Sequence, residues 1–196
     1  IDGGTGSDKI TANITNSTST TGSLNISNVE TIELGNTNTS VLNVSGVTGG
    51  TQIDPISIEI SSLGGTASNT TISGIKTLTQ KIGLGNSDLS GNSAAGIFDL
   101  NLENPNGSDD NLFIDINEVS TATIITSGAE TLTISASTND TAITNSDLTI
   151  SETNVEEIVV KGANADDGHL LNLNTLDTET IILNASDYYG QLTVAS

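Results

Sequence analysis

Cysteine, methionine, tryptophan and arginine are all absent from these 196 residues. Without cysteine, no disulfide staples the fold. Aromatic side chains amount to 2% of the chain: Phe98, Phe113, Tyr188 and Tyr189. A compact globular core is hard to fill without large side chains. A thin core of Ile, Leu and Val, stacked rung on rung, needs none. Positive charge is nearly as scarce. Four lysines (Lys9, Lys76, Lys81, Lys161) face 24 acids, for a formal net charge of −20. That balance argues against nucleic-acid binding, which needs cations to neutralise phosphates, and against docking on anionic lipid. No apolar run approaches the roughly 18 residues of a membrane helix, so direct membrane insertion is not expected. So much charge of one sign repels itself and opposes compaction. Bound divalent cations would relieve that cost; simple solubility is the alternative reading.

Helical periodicity is missing too. No segment places apolar residues at i, i+3, i+4 and i+7 with charges between. Short alternating runs of Ile, Val, Leu and Thr recur instead, separated by Gly, Asn, Ser and Asp, which is the pattern of strands and turns.

Internal similarity is the stronger signal. One phrase recurs as Asn28-Val29-Glu30-Thr31-Ile32-Glu33-Leu34, Gly74-Ile75-Lys76-Thr77-Leu78-Thr79-Gln80, Gly128-Ala129-Glu130-Thr131-Leu132-Thr133-Ile134, Asn154-Val155-Glu156-Glu157-Ile158-Val159-Val160 and Asp177-Thr178-Glu179-Thr180-Ile181-Ile182-Leu183. Its starts lie 46, 54, 26 and 23 residues apart. The first two intervals are about double the last two. A unit of 23 to 27 residues with two degenerate copies follows, and Ile56–Ile60 and Leu112–Ile116 supply candidates for those copies. Each unit reads as one coil of a parallel β-helix, an all-β solenoid of short strands stacked at about 4.8 Å. Asn at turns would stack its amides between coils. An antiparallel β-sandwich is the alternative, because short strands at 8–12 residue spacing also describe it. The interruptions near Gly46–Pro55 and Gly83–Gly96 read as excursions from the coil. No domain boundary is visible, so residues 1–196 read as one solenoid domain. It opens inside a motif, which leads us to expect a fragment of a longer secreted protein.

That motif is Gly3-Gly4-Thr5-Gly6-Ser7-Asp8-Lys9-Ile10-Thr11, within residues 1–11. It fits every position of the calcium-binding nonapeptide G-G-x-G-x-D-x-U-x. Glycines let backbone carbonyls converge, Asp8 supplies a hard anionic oxygen, and Ile10 anchors the next strand. Asp2 adds a second carboxylate. Two weaker echoes follow, Asn106-Gly107-Ser108-Asp109-Asp110-Asn111-Leu112 and Asn164-Ala165-Asp166-Asp167-Gly168. Adjacent carboxylates repel unless a cation bridges them. The metal candidates are therefore Asp2, Gly3, Gly4, Gly6, Asp8, Asp109, Asp110, Asp166 and Asp167, and the cofactor is Ca²⁺.

Other chemistries fit less well. His169 beside Asp167 lacks the partners of an ordinary zinc site and reads as an exposed turn residue. Glu30, Glu130, Glu156 and Glu179 recur at equivalent phrase positions, which reads as a solvated ladder. A β-helical polysaccharide-active enzyme would pair carboxylates about 5 to 9.5 Å apart. It would also present Arg or Lys to grip acidic sugars and aromatic platforms for stacking; there is no Arg here, and the sequence offers no evident aromatic platform. An ice-binding face needs unbroken Thr-x-Thr rows. Thr77/Thr79, Thr131/Thr133 and Thr178/Thr180 fit, but Glu33 and Glu157 break the series. No catalytic residue is assigned.

With its "LNIS" and "LNLN" steps, its "NVETIEL" and "NVEEIVV" phrases and its single nonapeptide, the chain resembles the repeats of Gram-negative surface-layer and RTX proteins. The resemblance spans most of the chain. It implies a calcium-stabilised β-solenoid, secreted by a type I route and folded at the bacterial cell surface. The implied role is self-assembly with identical subunits in a lattice, with cell-surface polysaccharide held through other domains. The alternative is a repeat module of a large RTX adhesin. Tandem nonapeptides, usual in that family, are missing from this sequence.

Overall fold

A computed structural model describes residues 1–14, 20–36, 40–62, 68–85, 94–107, 110–116, 119–136, 145–153, 155–162, 170–176, 180 and 182–195. In chain order the strands are β1 (Lys9–Ile14), β2 (Thr20–Ser23) and β3 (Ile26–Ser27), then β4 (Thr31–Asn36), β5 (Ser40–Asn43) and β6 (Val47–Thr48). Pairs follow: β7 (Ile56–Ser62) with β8 (Ser68–Ile75), β9 (Gln80–Leu84) with β10 (Ala94–Leu102), and β11 (Asn111–Ile116) with β12 (Val119–Ser127). The last are β13 (Thr131–Ala136) with β14 (Asn145–Thr153), β15 (Glu157–Gly162) with β16 (Leu170–Thr175), and β17 (Ile182–Tyr188) with β18 (Gln191–Val194). No helix occurs among the described residues.

Each coil adds one strand to each of two sheets. The first runs β1-β4-β7-β9-β11-β13-β15-β17 and the second β2-β5-β8-β10-β12-β14-β16-β18. A short third sheet pairs β3 with β6. Among the described residues every strand pair is parallel, for instance β4 with β7 and β10 with β12. The chain is thus a parallel β-solenoid, and the antiparallel sandwich falls away.

The core is built from files of like residues. Ile32, Ile58, Ile82, Ile114, Ile134 and Val160 are successive register partners in the first sheet. All are at most 1% exposed. Beside them run Leu34, Ile60, Leu84, Ile116 and Ala136. Equal side chains repeated at one rung spacing fill the interior without large aromatics, which is how so small a hydrophobic content suffices. Phe98 is the exception, fully buried on β10.

The two degenerate copies are real rungs, since Ile56–Ile60 lies in β7 and Leu112–Ile116 is β11. Register partners in the first sheet lie 22 residues apart at Lys9–Thr31, 26 at Thr31–Ser57 and 24 at Ile56–Gln80. They lie 32 apart at Ile82–Ile114 and 20 at Asn111–Thr131, then 26 and 25. The spread exceeds the expected 23 to 27. The second-sheet strands range from four to nine residues, and the corners absorb the rest.

The phrase itself is a corner followed by a strand. Its first residue has left-handed backbone at Asn28 (φ 52), Gly74 (φ 76) and Gly128 (φ 88). Its second residue, Val29, Ile75, Ala129 or Val155, is a buried plug. The second copy departs after that plug. Lys76 to Thr79 form a turn, with the Thr79 and Gln80 N–H groups donating to the Lys76 carbonyl, and the rung resumes as Gln80–Leu84. Thr77 and Thr79 therefore sit in a turn. Thr133 is buried and donates to Asn111 Oδ1 at 3.1 Å. A continuous threonine row is not formed at these positions. Asn side chains bond to other residue types between coils, as when Asn172 donates to Asp147 and Asn101 accepts from Ser127.

Candidate metal-binding corners

The N-terminal motif forms a turn against the second coil. Gly4 (φ 88) and Gly6 (φ 135) take backbone that suits glycine. Gly3 is required for a different reason, because a Cβ there would fall 2.1 Å from the Asn28 carbonyl oxygen. Asp2 bridges to Ser27 through its backbone. Its Oδ1 accepts from the Gly4 N–H at 3.1 Å and from Asn28 Nδ2 at 2.9 Å. The Asn28 amide, and next the Gly4 N–H, hold the Asp2 carboxyl below the usual carboxylate range.

Asp8 is engaged differently. Its N–H donates to Glu30 Oε2 at 2.6 Å, and its carbonyl accepts from the Glu30 and Thr31 N–H groups at 3.1 and 3.2 Å. Its Oδ2 is buried with no hydrogen-bond partner.

The second corner repeats the arrangement. The Asp110 N–H donates to Glu130 Oε2 at 2.7 Å, and the Asp110 carbonyl accepts from Glu130 and Thr131 at 3.0 and 3.1 Å. Here Asp110 Oδ2 has a partner, the Gly107 N–H at 3.0 Å. The ladder continues as the Glu130 carbonyl accepts from the Glu156 and Glu157 N–H groups. A cavity of about 260 Å³ adjoins this corner, lined by Asp110, Glu103, Asn104, Thr77, Thr79 and Lys76. Asp109, Asp166, Asp167, His169 and Glu179 lie outside the described residues.

Glu30 and Glu130 therefore belong to the corners, where each clamps the preceding coil. The solvated-ladder reading fails for these two. The signal was present in the sequence: Asp-x-apolar (Asp8-Lys9-Ile10, Asp110-Asn111-Leu112) precedes Glu-Thr-apolar (Glu30-Thr31-Ile32, Glu130-Thr131-Leu132) by 22 and 20 residues. In the second phrase a lysine takes the glutamate position and the polarity inverts. Lys76 Nζ donates to the Ser45 and Val47 carbonyls, and Gln80 Nε2 donates to those of Val44 and Val47.

The donor set suits calcium in kind. Both corners offer hard carboxylate and carbonyl oxygens, and the orphaned Asp8 oxygen is the type of ligand a calcium ion takes. No three acidic or histidine side chains converge among the described residues. A calcium ion at the first corner would thus draw on Asp8 with backbone carbonyls and water.

A second acidic feature lies on the outer face of the first sheet. Glu33 and Glu59 are register partners on β4 and β7, and only 2% and 8% exposed. Lys9 Nζ pairs with Glu33, and Thr11 donates to it at 3.1 Å. Ser57 donates to Glu59 at 3.1 Å. Burial pushes the Glu59 carboxyl up; neighbouring Glu33 adds to this, while the Ser57 hydroxyl, Lys9 and Lys81 oppose it.

No family model, curated protein or solved structure matches the chain.

Proposed function

We propose that this chain is a structural segment of a bacterial cell-surface layer, secreted and stabilised by calcium, that packs with copies of itself in a lattice. The observation that carries the reading is Asp8. It occupies the aspartate position of a complete calcium nonapeptide, with one carboxylate oxygen buried and unpartnered. Calcium, when bound, supplies positive charge to a chain of net charge −20. Asp8 would hold it at the first corner with backbone carbonyls and water, and Asp110 would offer its carboxylate at the second. The reading assigns no reaction to the chain. Anchoring to surface polysaccharide would fall to other domains.

The test is chelation. Calcium should raise the melting temperature and give ordered two-dimensional arrays by electron microscopy, and EDTA should reverse both. Unchanged melting and assembly on chelation would sink the calcium role. A repeat module of a large adhesin is the second reading, favoured by the stack of parallel rungs, which suits a stalk equally well. Such a module would gain thermal stability with calcium yet remain monomeric.

A further inference from the structure

The outer face of the first sheet carries a cavity of about 390 Å³, within the range of small-molecule sites. Its floor is Lys81, Phe113, Asp115, Ser135 and Lys161, from β9, β11, β13 and β15. Its wall comes from two excursions, with Gln52 and Pro55 on one and Thr77 and Leu78 on the other.

Three observations set this cavity apart. First, it gathers two of the four cations of a chain with net charge −20. Lys9 is paired with Glu33, and Lys76 is bonded to backbone carbonyls. Lys81 is bonded to Asp115 at 2.8 Å. The Lys161 ammonium meets no carboxylate among the described residues; it lies 5.3 Å from the centroid of the Phe113 ring. Second, Phe113 alternates with the inward-facing Leu112 and Ile114, so an aromatic ring stands on the outer face, in register with Thr133 and, one coil further, Val159. Third, every floor strand is interior to the sheet, hydrogen-bonded to a neighbour on both sides.

These fix the class of ligand. With Lys81 paired to Asp115, the Lys161 ammonium is the uncompensated charge in the cavity, and it selects an anion. The surrounding negative field and Asp115 within the site penalise a doubly charged phosphate more than a single carboxylate. Interior strands offer no free edge, so a peptide cannot add as a strand and must be read through side chains alone. The Phe113 face suits the weakly positive C–H face of a sugar ring, and Ser135, Thr77 and Gln52 offer hydroxyl and amide groups to its hydroxyls. We infer that the Phe113–Lys161–Lys81 cavity is a binding site for a carboxylated sugar ring, with Lys161 moving from the aromatic face to the ligand carboxylate.

The probe is glucuronic acid, titrated into the full chain at low salt by calorimetry, with glucose and an N-acetyl glutamyl peptide as comparisons. Glucuronic acid should bind at least about tenfold more tightly than either, and lose about tenfold in affinity in Lys161→Gln, a difference of about 1.4 kcal/mol. Added salt should weaken it. Lys161→Gln alters an outer-face side chain and should keep the parent melting temperature, so it remains informative if Phe113→Ala fails to fold. Equal binding of glucose, equal or tighter binding of the peptide, no binding, or affinity untouched by Lys161→Gln would each overturn the assignment.

Discussion

Glu130 accepts the backbone N–H of Asp110 at 2.7 Å, while the Asp110 carbonyl accepts the Glu130 N–H at 3.0 Å. This reciprocal pair ties one coil to the next at a corner, and Asp8 with Glu30 repeats it. A carboxylate held this way acts as a cap for a corner donor that no strand partner satisfies. Hydrogen bonds to charged groups contribute about 1.5–3 kcal/mol when well shielded. These corners are only part-buried, so roughly 1–2 kcal/mol is expected. Glu130→Ala should lose that amount in urea unfolding. Glu130→Gln keeps an acceptor oxygen and should lose about half as much. An alanine variant as stable as the parent would show that water replaces the carboxylate without cost.

Gly128 opens the same corner, and its backbone matches that of Gly4, both at φ 88. Their surroundings differ. A Cβ on Gly128 would meet Pro105 Cβ at 2.1 Å, whereas a Cβ on Gly4 meets nothing within 4 Å. Gly4→Ala should therefore cost only the left-handed backbone, about 1–2 kcal/mol. Gly128→Ala adds overpacking of about 1–3 kcal/mol. Equal thermal shifts in the two variants would mean that Pro105 yields freely.

Much of this architecture was legible in the sequence, because a solenoid writes its fold as repetition. The alternating Ile56–Ile60 and Leu112–Ile116 segments could be placed as rungs from periodicity alone, since inward residues must fall every second position. The corners were less legible. Lys76 to Thr79 match the phrase by residue type yet turn away from the sheet, because strand propensity does not encode where the chain bends. The roles of Glu30 and Glu130 depend on which backbone N–H lies one coil earlier, a relation that spans 22 or 20 residues and varies with corner length. The outer-face cavity was invisible for the same reason: Lys81, Phe113 and Lys161 belong to three different coils.

The two phenylalanines separate core from surface. Phe98 on β10 is fully buried, between register partners Thr70 on β8 and Ile124 on β12. Phe113 stands on the outer face. Phe98→Ala leaves a cavity that rigid neighbouring coils cannot close and should cost about 3–5 kcal/mol. Phe113→Ala should cost no more than about 1 kcal/mol, since it gives up only partial burial and the Lys161 contact. Chemical denaturation of both variants reads the difference, and similar losses would contradict the inward and outward assignment.

Glu59 makes stability fall as pH rises. Burial raises its carboxyl above the ordinary glutamate value of about 4.3, so the folded chain holds this proton more tightly than the unfolded chain. The contribution is fully present below the unfolded value and is lost as pH climbs through the raised folded value. At neutral pH the ionised group stands beside Glu33, with Lys9 and Lys81 compensating only in part. Glu59→Gln keeps an acceptor for the Ser57 hydroxyl and removes the charge. The variant should melt above the parent at pH 7, and the gap should close toward pH 4. Thermal unfolding of both proteins across that range is the measurement. A gap that widens as pH falls would mean that the Lys9 and Lys81 attraction outweighs burial, and that Glu59 stabilises the fold as a carboxylate.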